Sequence, residues 1–67
     1  MDVKINGKPH EAPEGAGTVE EFAALMNLKP QNTLLKLNHR HVPWDQWSST
    51  PIAADDVVEI LVFAAGG

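Results

Sequence analysis

Cysteine and tyrosine are absent from this chain of 67 residues. Without cysteine the chain has no disulfide, no thiolate nucleophile and no zinc-thiolate site, so packing alone must hold it together. A domain of this size buries only about 60% of the surface that its unfolded chain exposes. We therefore predict one compact domain that has no room for a substrate cleft and carries no catalytic residue.

Basic residues are few, five against nine acidic residues, and the net charge is -4. They are scattered along the chain at Lys4, Lys8, Lys29, Lys36 and Arg40. Binding to a phosphate backbone requires clustered positive charge, so we expect no nucleic-acid partner. An acidic surface instead suits a partner protein with a basic docking face.

Long apolar runs are also missing, since none approaches the roughly 20 residues that span a bilayer. The first residues show no basic segment followed by an apolar segment, the pattern of a secretory signal. We expect no membrane contact and a cytoplasmic location. A plastid location stays open if a transit peptide precedes this sequence.

The chain opens with the pattern of a β-hairpin. Residues 1–5 alternate apolar and polar side chains, the period of a half-buried strand. Asn6-Gly7 suits a type I′ turn, whose two central positions both need positive φ. Residues 8 to about 13 then return as a second strand, and Pro9 and Pro13 make it an edge strand.

A helix is predicted from Thr18, because Thr18-Val19-Glu20-Glu21 has the pattern of a capping box. The hydroxyl of Thr18 and the carboxylate of Glu21 would accept from free backbone amides there. Residues 27–30 end the helix. Its apolar face is predicted to contain Val19, Phe22, Leu25 and Met26.

The second half of the chain predicts three more strands. Residues 33–38 form the third, with Leu35 and Leu37 on one face, and residues 39–42 turn into a short fourth. Trp44 to Trp47 form one helical turn, in which Trp47 covers the core and Trp44 is partly exposed. Residues 50–56 form a loop.

The most strand-like run is Val57 to Phe63, which is apolar on both faces and belongs in the middle of a sheet. Its residues Val58, Ile60 and Val62 are predicted to face the helix. The order ββαββ predicts the α+β class and a ubiquitin-like β-grasp fold, with a mixed sheet of four to five strands and one main helix across it. Residues 1–63 form the domain, and residues 64–67 form a flexible tail.

That tail is Ala64-Ala65-Gly66-Gly67, a segment of small residues that ends in a free carboxylate. Four extended residues span about 13 to 14 Å, enough to reach into the active site of another protein. Glycine has no Cβ, so the backbone can pass through a narrow channel. The alternative is an ordinary frayed terminus.

Two further groups of residues suggest sites. An apolar stripe on the face of the sheet opposite the helix predicts a docking surface, formed by Val57, Leu61 and Phe63, interrupted by Glu59 and extended by Leu34. His39 and His41 are predicted to lie on one face of a strand near His10, but without a carboxylate or thiolate they lack a usual ligand set. We therefore predict no metal site.

Over essentially its whole length the chain resembles the ThiS family of thiamine-biosynthesis sulfur carriers. The resemblance rests on residues 1–7, on Thr18-Val19-Glu20, on the leucine-rich strand ending at Asn38, and most specifically on Val42-Pro43-Trp44-Asp45-Gln46-Trp47 together with the final Gly66-Gly67. Two turns differ. The family often has Asn-Gly and Asp-Gly-Asp where this chain has Asn38-His39 and Ala54-Asp55-Asp56.

The resemblance implies that the Gly67 carboxylate is the site of sulfur attachment. A ThiF-like adenylating enzyme would use ATP and magnesium to form an acyl adenylate, and sulfur from a persulfide donor would convert it into a thiocarboxylate. A ThiG-like thiazole synthase would then take up the sulfur. The chain itself would be a cosubstrate that binds no cofactor and is a monomer when free.

Two alternatives remain open at this point. A carrier of this kind could serve another pathway, such as the synthesis of molybdopterin, a tungsten cofactor or cysteine. A chain of this fold could also be an interaction module whose diglycine has no chemical role.

Overall fold

The structure, a computed structural model, describes residues 1–12 and 14–63 of the chain. It contains one α-helix and a five-stranded sheet in this described part. The elements are β1 (Asp2–Ile5), β2 (Lys8–Glu11), α1 (Val19–Leu25), β3 (Thr33–Leu37), β4 (Arg40–His41) and β5 (Val57–Val62), with short 3-10 helices at Pro30–Asn32 and Trp44–Ser49.

The strand order is β2-β1-β5-β3-β4, so the last strand lies in the centre as its apolar sequence predicted. Strand β5 runs parallel to β1 and antiparallel to β3, and both hairpins are antiparallel. This confirms the mixed sheet and the β-grasp order. Strand β2 is an edge strand, as predicted from its prolines, although Pro13 lies outside the described residues.

The first hairpin has the turn that its sequence predicts. Asn6 and Gly7 both have positive φ, 50° and 84°, and Ile5 pairs with Lys8 across them. The β3–β4 hairpin repeats this geometry with Asn38 and His39 at φ 51° and 70°. A histidine therefore occupies a left-handed position where glycine is the easier residue.

Helix α1 is capped at both ends. The Glu21 amide donates to Thr18 Oγ1 at 3.2 Å, as predicted, but the Glu21 carboxylate accepts from the Thr18 hydroxyl and not from a backbone amide. At the other end Asn27 is left-handed, with φ 59°. The amides of Asn27 and Leu28 donate to the carbonyls of Ala24 and Ala23, which is a Schellman motif.

The core lies between α1 and one face of the sheet. Its largest fully buried side chains are Phe22, Leu35, Val3, Val19 and Val58. Trp47 closes one end and is only 3% exposed, with its indole N–H donating to the Val42 carbonyl at 2.9 Å. Trp44 is 66% exposed, so the two tryptophans divide as expected.

Three residues that were predicted to face the core are exposed. Met26, the C-cap residue of α1, is 36% exposed. Leu25 is 53% exposed, because at about 100° per residue it lies well away from the face shared by Val19, Phe22 and Ala23. Val62 is 55% exposed, because β5 continues beyond the packed layer that covers Val58 and Ile60. The end of β5 is therefore open on the helix side as well.

Candidate functional site

The candidate site begins where β5 leaves the sheet. Ala64, Ala65, Gly66 and Gly67, which the sequence nominated as tail and sulfur-attachment site, lie outside the described residues. The last described backbone contact before them is the Phe63 amide, which donates to the Asn32 carbonyl at 3.0 Å. The central strand thus leads directly into the segment that carries the terminal carboxylate.

The predicted docking residues share one face of the sheet, which we call the open face because no helix within residues 1–12 and 14–63 covers it. Leu34 and Leu61 are cross-strand partners, 37% and 61% exposed, and Phe63 is 48% exposed. Val57, at the start of β5, is half-buried. The structure therefore places the four residues along one stripe that ends at the base of the tail, and their docking role stays a prediction.

Charged side chains interrupt this stripe. Glu59 lies opposite Lys36 in the β3–β5 ladder, and its Oε1 atom is 3.3 Å from Nδ1 of His39. Because both partners are substantially exposed, this contact adds little to stability. The carboxylate of Glu59, in the middle of the open face, therefore has Lys36 and His39 as its neighbours on the β3 side.

A shallow concavity of about 260 Å³ opens on the same face. It is lined by Leu34, Lys36, Glu59, Leu61, Asn6 and Ile60. The first four belong to the open face, whereas Asn6 and Ile60 lie where β1 ends beside β5. The concavity therefore runs from the apolar stripe to the edge of the central strand.

Asn6 has a role at this edge that its turn motif did not reveal. Its side-chain Oδ1 accepts from the Ile60 amide at 2.8 Å, and its Nδ2 donates to the Ile60 carbonyl at 3.1 Å. The side-chain amide thus takes the place of one more peptide group of β1 in the ladder. We call this pair of bonds the Asn6 clip.

Asn38 acts in a related way on the other side of β5. Its backbone amide donates to the Val57 carbonyl at 2.7 Å, and its Oδ1 accepts from the Val57 amide at 2.9 Å. Its Nδ2 donates to Asp56 Oδ1 at 3.1 Å. Both turn asparagines therefore hold the strand that carries the tail.

The histidines do not form the pair that the sequence suggested. His39 lies in the β3–β4 turn at positive φ, and His41 lies in β4, so they are not on one face of a strand. All three histidines, including His10, are exposed. Within residues 1–12 and 14–63, no group of three histidine, aspartate or glutamate side chains could hold a metal ion. In the same ranges no helix has the length and hydropathy that a membrane crossing requires.

A five-stranded mixed sheet with β5 in the centre and one main helix across it defines a ubiquitin-like β-grasp protein. The chain belongs to the ThiS family, whose model matches residues 3–67 and so includes the tail. No curated protein sequence matches the chain.

Solved structures agree with this assignment. A crystal structure of the thiamine biosynthesis protein ThiS from Geobacter metallireducens superposes with a TM-score of 0.82 at 25% identity, over 100% of both chains. A solution structure of a thiamine biosynthesis protein from the same organism gives 0.81 at 25% identity, over 100% of this chain and 88% of the other.

Proposed function

We propose that this chain is a sulfur carrier of thiamine biosynthesis whose reacting group is the Gly67 carboxylate. ThiS-family membership and the similar ThiS structures support a carrier in that pathway. The observation that carries the proposal is positional: the central strand β5 leads straight into residues 64–67, and the family match continues to the last residue.

The chemistry explains why a carrier needs such a terminus. A carboxylate is a poor electrophile, and adenylation by ATP gives it a good leaving group. A persulfide sulfur that attacks the carbonyl displaces AMP and forms an acyl disulfide. A thiolate then attacks the donor's sulfur of that S–S bond, which forms a new disulfide and releases the thiocarboxylate. The tail supplies the reacting carboxylate and the length that brings it into the partner's active site, while the partner enzyme supplies the nucleotide site and the magnesium ion.

The globular part of the chain has a different task, which is docking. The open face presents Leu34, Leu61 and Phe63 next to the base of the tail, a suitable position for a surface that delivers the tail to a partner. We propose that the adenylating enzyme and a thiazole synthase bind this face in turn. On this proposal the chain is a cosubstrate and not a catalyst.

The test uses the cognate adenylating enzyme, ATP and magnesium. The parent chain should support exchange of pyrophosphate into ATP, and a variant with one alanine added after Gly67 should not. Because the addition leaves residues 1–63 unchanged, its melting curve serves as the folding control. Equal exchange by the extended chain would show that the terminal carboxylate does not react.

The pathway and the chemistry are tested separately by mass spectrometry of the intact chain from producing cells. A carrier should show a fraction in which sulfur replaces one carboxyl oxygen. That fraction should accumulate when the thiazole synthase is deleted. No such accumulation would assign the carrier to a different pathway.

A further inference from the structure

The backbone of β5 alternates in direction, and this alternation identifies the free edge of the strand. The backbone N–H and C=O groups of the odd-numbered residues face β3, since the Val57 carbonyl accepts from the Asn38 amide and the Phe63 amide donates to the Asn32 carbonyl. Groups of even-numbered residues face β1: the Val58 carbonyl accepts from the Asn6 amide, and Ile60 is held by the Asn6 clip.

Val62 is the next residue in this even-numbered series. Strand β1 has already ended at Ile5, and Asn6 reaches only as far as Ile60. The Val62 N–H and C=O therefore point out of the sheet, with no hydrogen-bond partner among residues 1–12 and 14–63. Unpaired backbone groups of this kind are a template for an added strand.

The surroundings of this edge also suit an extended segment. Val62 is 55% exposed, so more than half of this residue is open to solvent in the described part of the chain. The 260 Å³ concavity is lined by Ile60 and Leu61, the two residues before Val62 in β5, together with Asn6 and Leu34. A strand placed along the edge can lower one apolar side chain into that concavity, since alternate side chains of a strand point to opposite faces.

We propose that an extended segment of the adenylating enzyme adds to β5 at Val62 and so becomes a sixth strand of the sheet. This inference rests on the carrier function proposed above and says how the partner holds the base of the tail. Gly67 lies five positions after Val62 in the chain, so a fully extended backbone between them spans about 16 to 18 Å. Fixing the backbone at Val62 sets the direction in which that span leaves the domain.

The physical advantage lies in positioning. Misplacing reacting atoms by about 1 Å can cost on the order of a hundredfold in rate. Contacts on the open face alone orient the domain, but two backbone hydrogen bonds at Val62 also fix the strand from which the tail extends. The adenylating enzyme has the greater need for this, because it must bring one carboxylate oxygen in line with a phosphate of ATP.

The test removes one N–H at the edge without changing a side chain. A chain of this length is accessible to chemical synthesis, so Val62 can be replaced by its α-hydroxy analogue, which turns the amide into an ester. The matched control is the same replacement at Glu11, whose N–H also points out of the sheet, at the β2 edge. In each ester the carbonyl of the preceding residue becomes a weaker hydrogen-bond acceptor. That carbonyl faces the neighbouring strand in both variants, so this side effect is the same for the two esters.

The Val62 ester should bind the adenylating enzyme about five- to tenfold more weakly than the parent chain, the value of one backbone hydrogen bond. The Glu11 ester should bind like the parent. In addition, the Val62 amide of the unmodified chain should exchange with solvent rapidly when free and slowly in the complex.

Equal affinities of the two esters would overturn the proposal. So would a loss of affinity only for the thiazole synthase, because that result would assign the edge to the other partner. If the parent chain itself neither bound the adenylating enzyme nor supported pyrophosphate exchange, the carrier function would fail before the edge was tested. The two failures are therefore distinguishable.

Discussion

The Asn6 clip offers a quantitative test of how the strand before the tail is held. Replacing Asn6→Gly keeps the positive φ of the turn, which is 50° at this position, and removes both bonds to Ile60. Replacing Asn6→Asp keeps the acceptor for the Ile60 amide and removes only the donor to the Ile60 carbonyl. The two variants therefore delete the clip in steps.

The magnitude follows from the number and exposure of the bonds. A hydrogen bond contributes about 0.5 to 1.5 kcal/mol, and the low end applies here because both bonds are exposed and water can replace them. The greater backbone freedom of glycine in the unfolded chain is offset at this position, because glycine adopts positive φ at least as readily as asparagine. We expect Asn6→Gly to cost about 1 to 2 kcal/mol and Asn6→Asp about 0.5 to 1 kcal/mol.

The assay is urea unfolding, followed by the fluorescence of the buried Trp47. The slope of the free energy of unfolding against urea concentration should be the same for the parent and the variants. For a domain of this size the Asn6→Gly loss corresponds to a melting temperature lower by about 5 to 15 °C. Hydrogen exchange should also accelerate at the Ile60 amide. An Asn6→Gly variant within about 0.5 kcal/mol of the parent, with Ile60 still protected, would show that the clip does not hold β5.

The remaining predictions concern the turns, the open face and the tail. His39→Gly and Asp55→Gly should each raise the free energy of unfolding by up to about 1 kcal/mol in urea titrations, because both residues have positive φ, 70° and 69°. A lower free energy of unfolding in both variants would show that the positive φ angles of these residues cost no stability. Leu61→Glu should weaken binding of the adenylating enzyme at least tenfold, while circular dichroism shows an unchanged fold. Unchanged binding would show that the open face is not the docking surface. Gly66→Val should melt like the parent but fail to accept sulfur, since a β-branched side chain restricts the tail; a variant that melts lower yet is fully thiocarboxylated would give Gly66 a structural role.

The departures from the family pattern show how far turn chemistry can be varied. The resemblance to the family predicted glycine at the positions of His39 and Asp55, and both residues keep the left-handed conformation that glycine favours. Histidine and aspartate tolerate this region better than most side chains. The turns therefore retain their geometry at a modest cost in stability.

Several features of this protein were determined by local sequence alone. The Asn6-Gly7 turn, the Thr18 cap and the apolar run from Val57 depend on backbone angles and side-chain periods that act over a few residues. The central position of β5 followed from its apolar character on both faces. The role proposed for residues 64–67 also rests on sequence, namely on their composition and on the resemblance of the chain to the ThiS family.

Only the tertiary structure decided which edges and faces stay open. The exposure of Val62 depends on where β5 extends beyond the elements that pack against it, which no local pattern records. The Asn6 clip joins residues 54 positions apart, so its sequence signal is that of an ordinary turn. Among the described residues, the edge at Val62 is free because β1 is shorter than β5, and strand ends are set by how neighbouring elements pack in three dimensions.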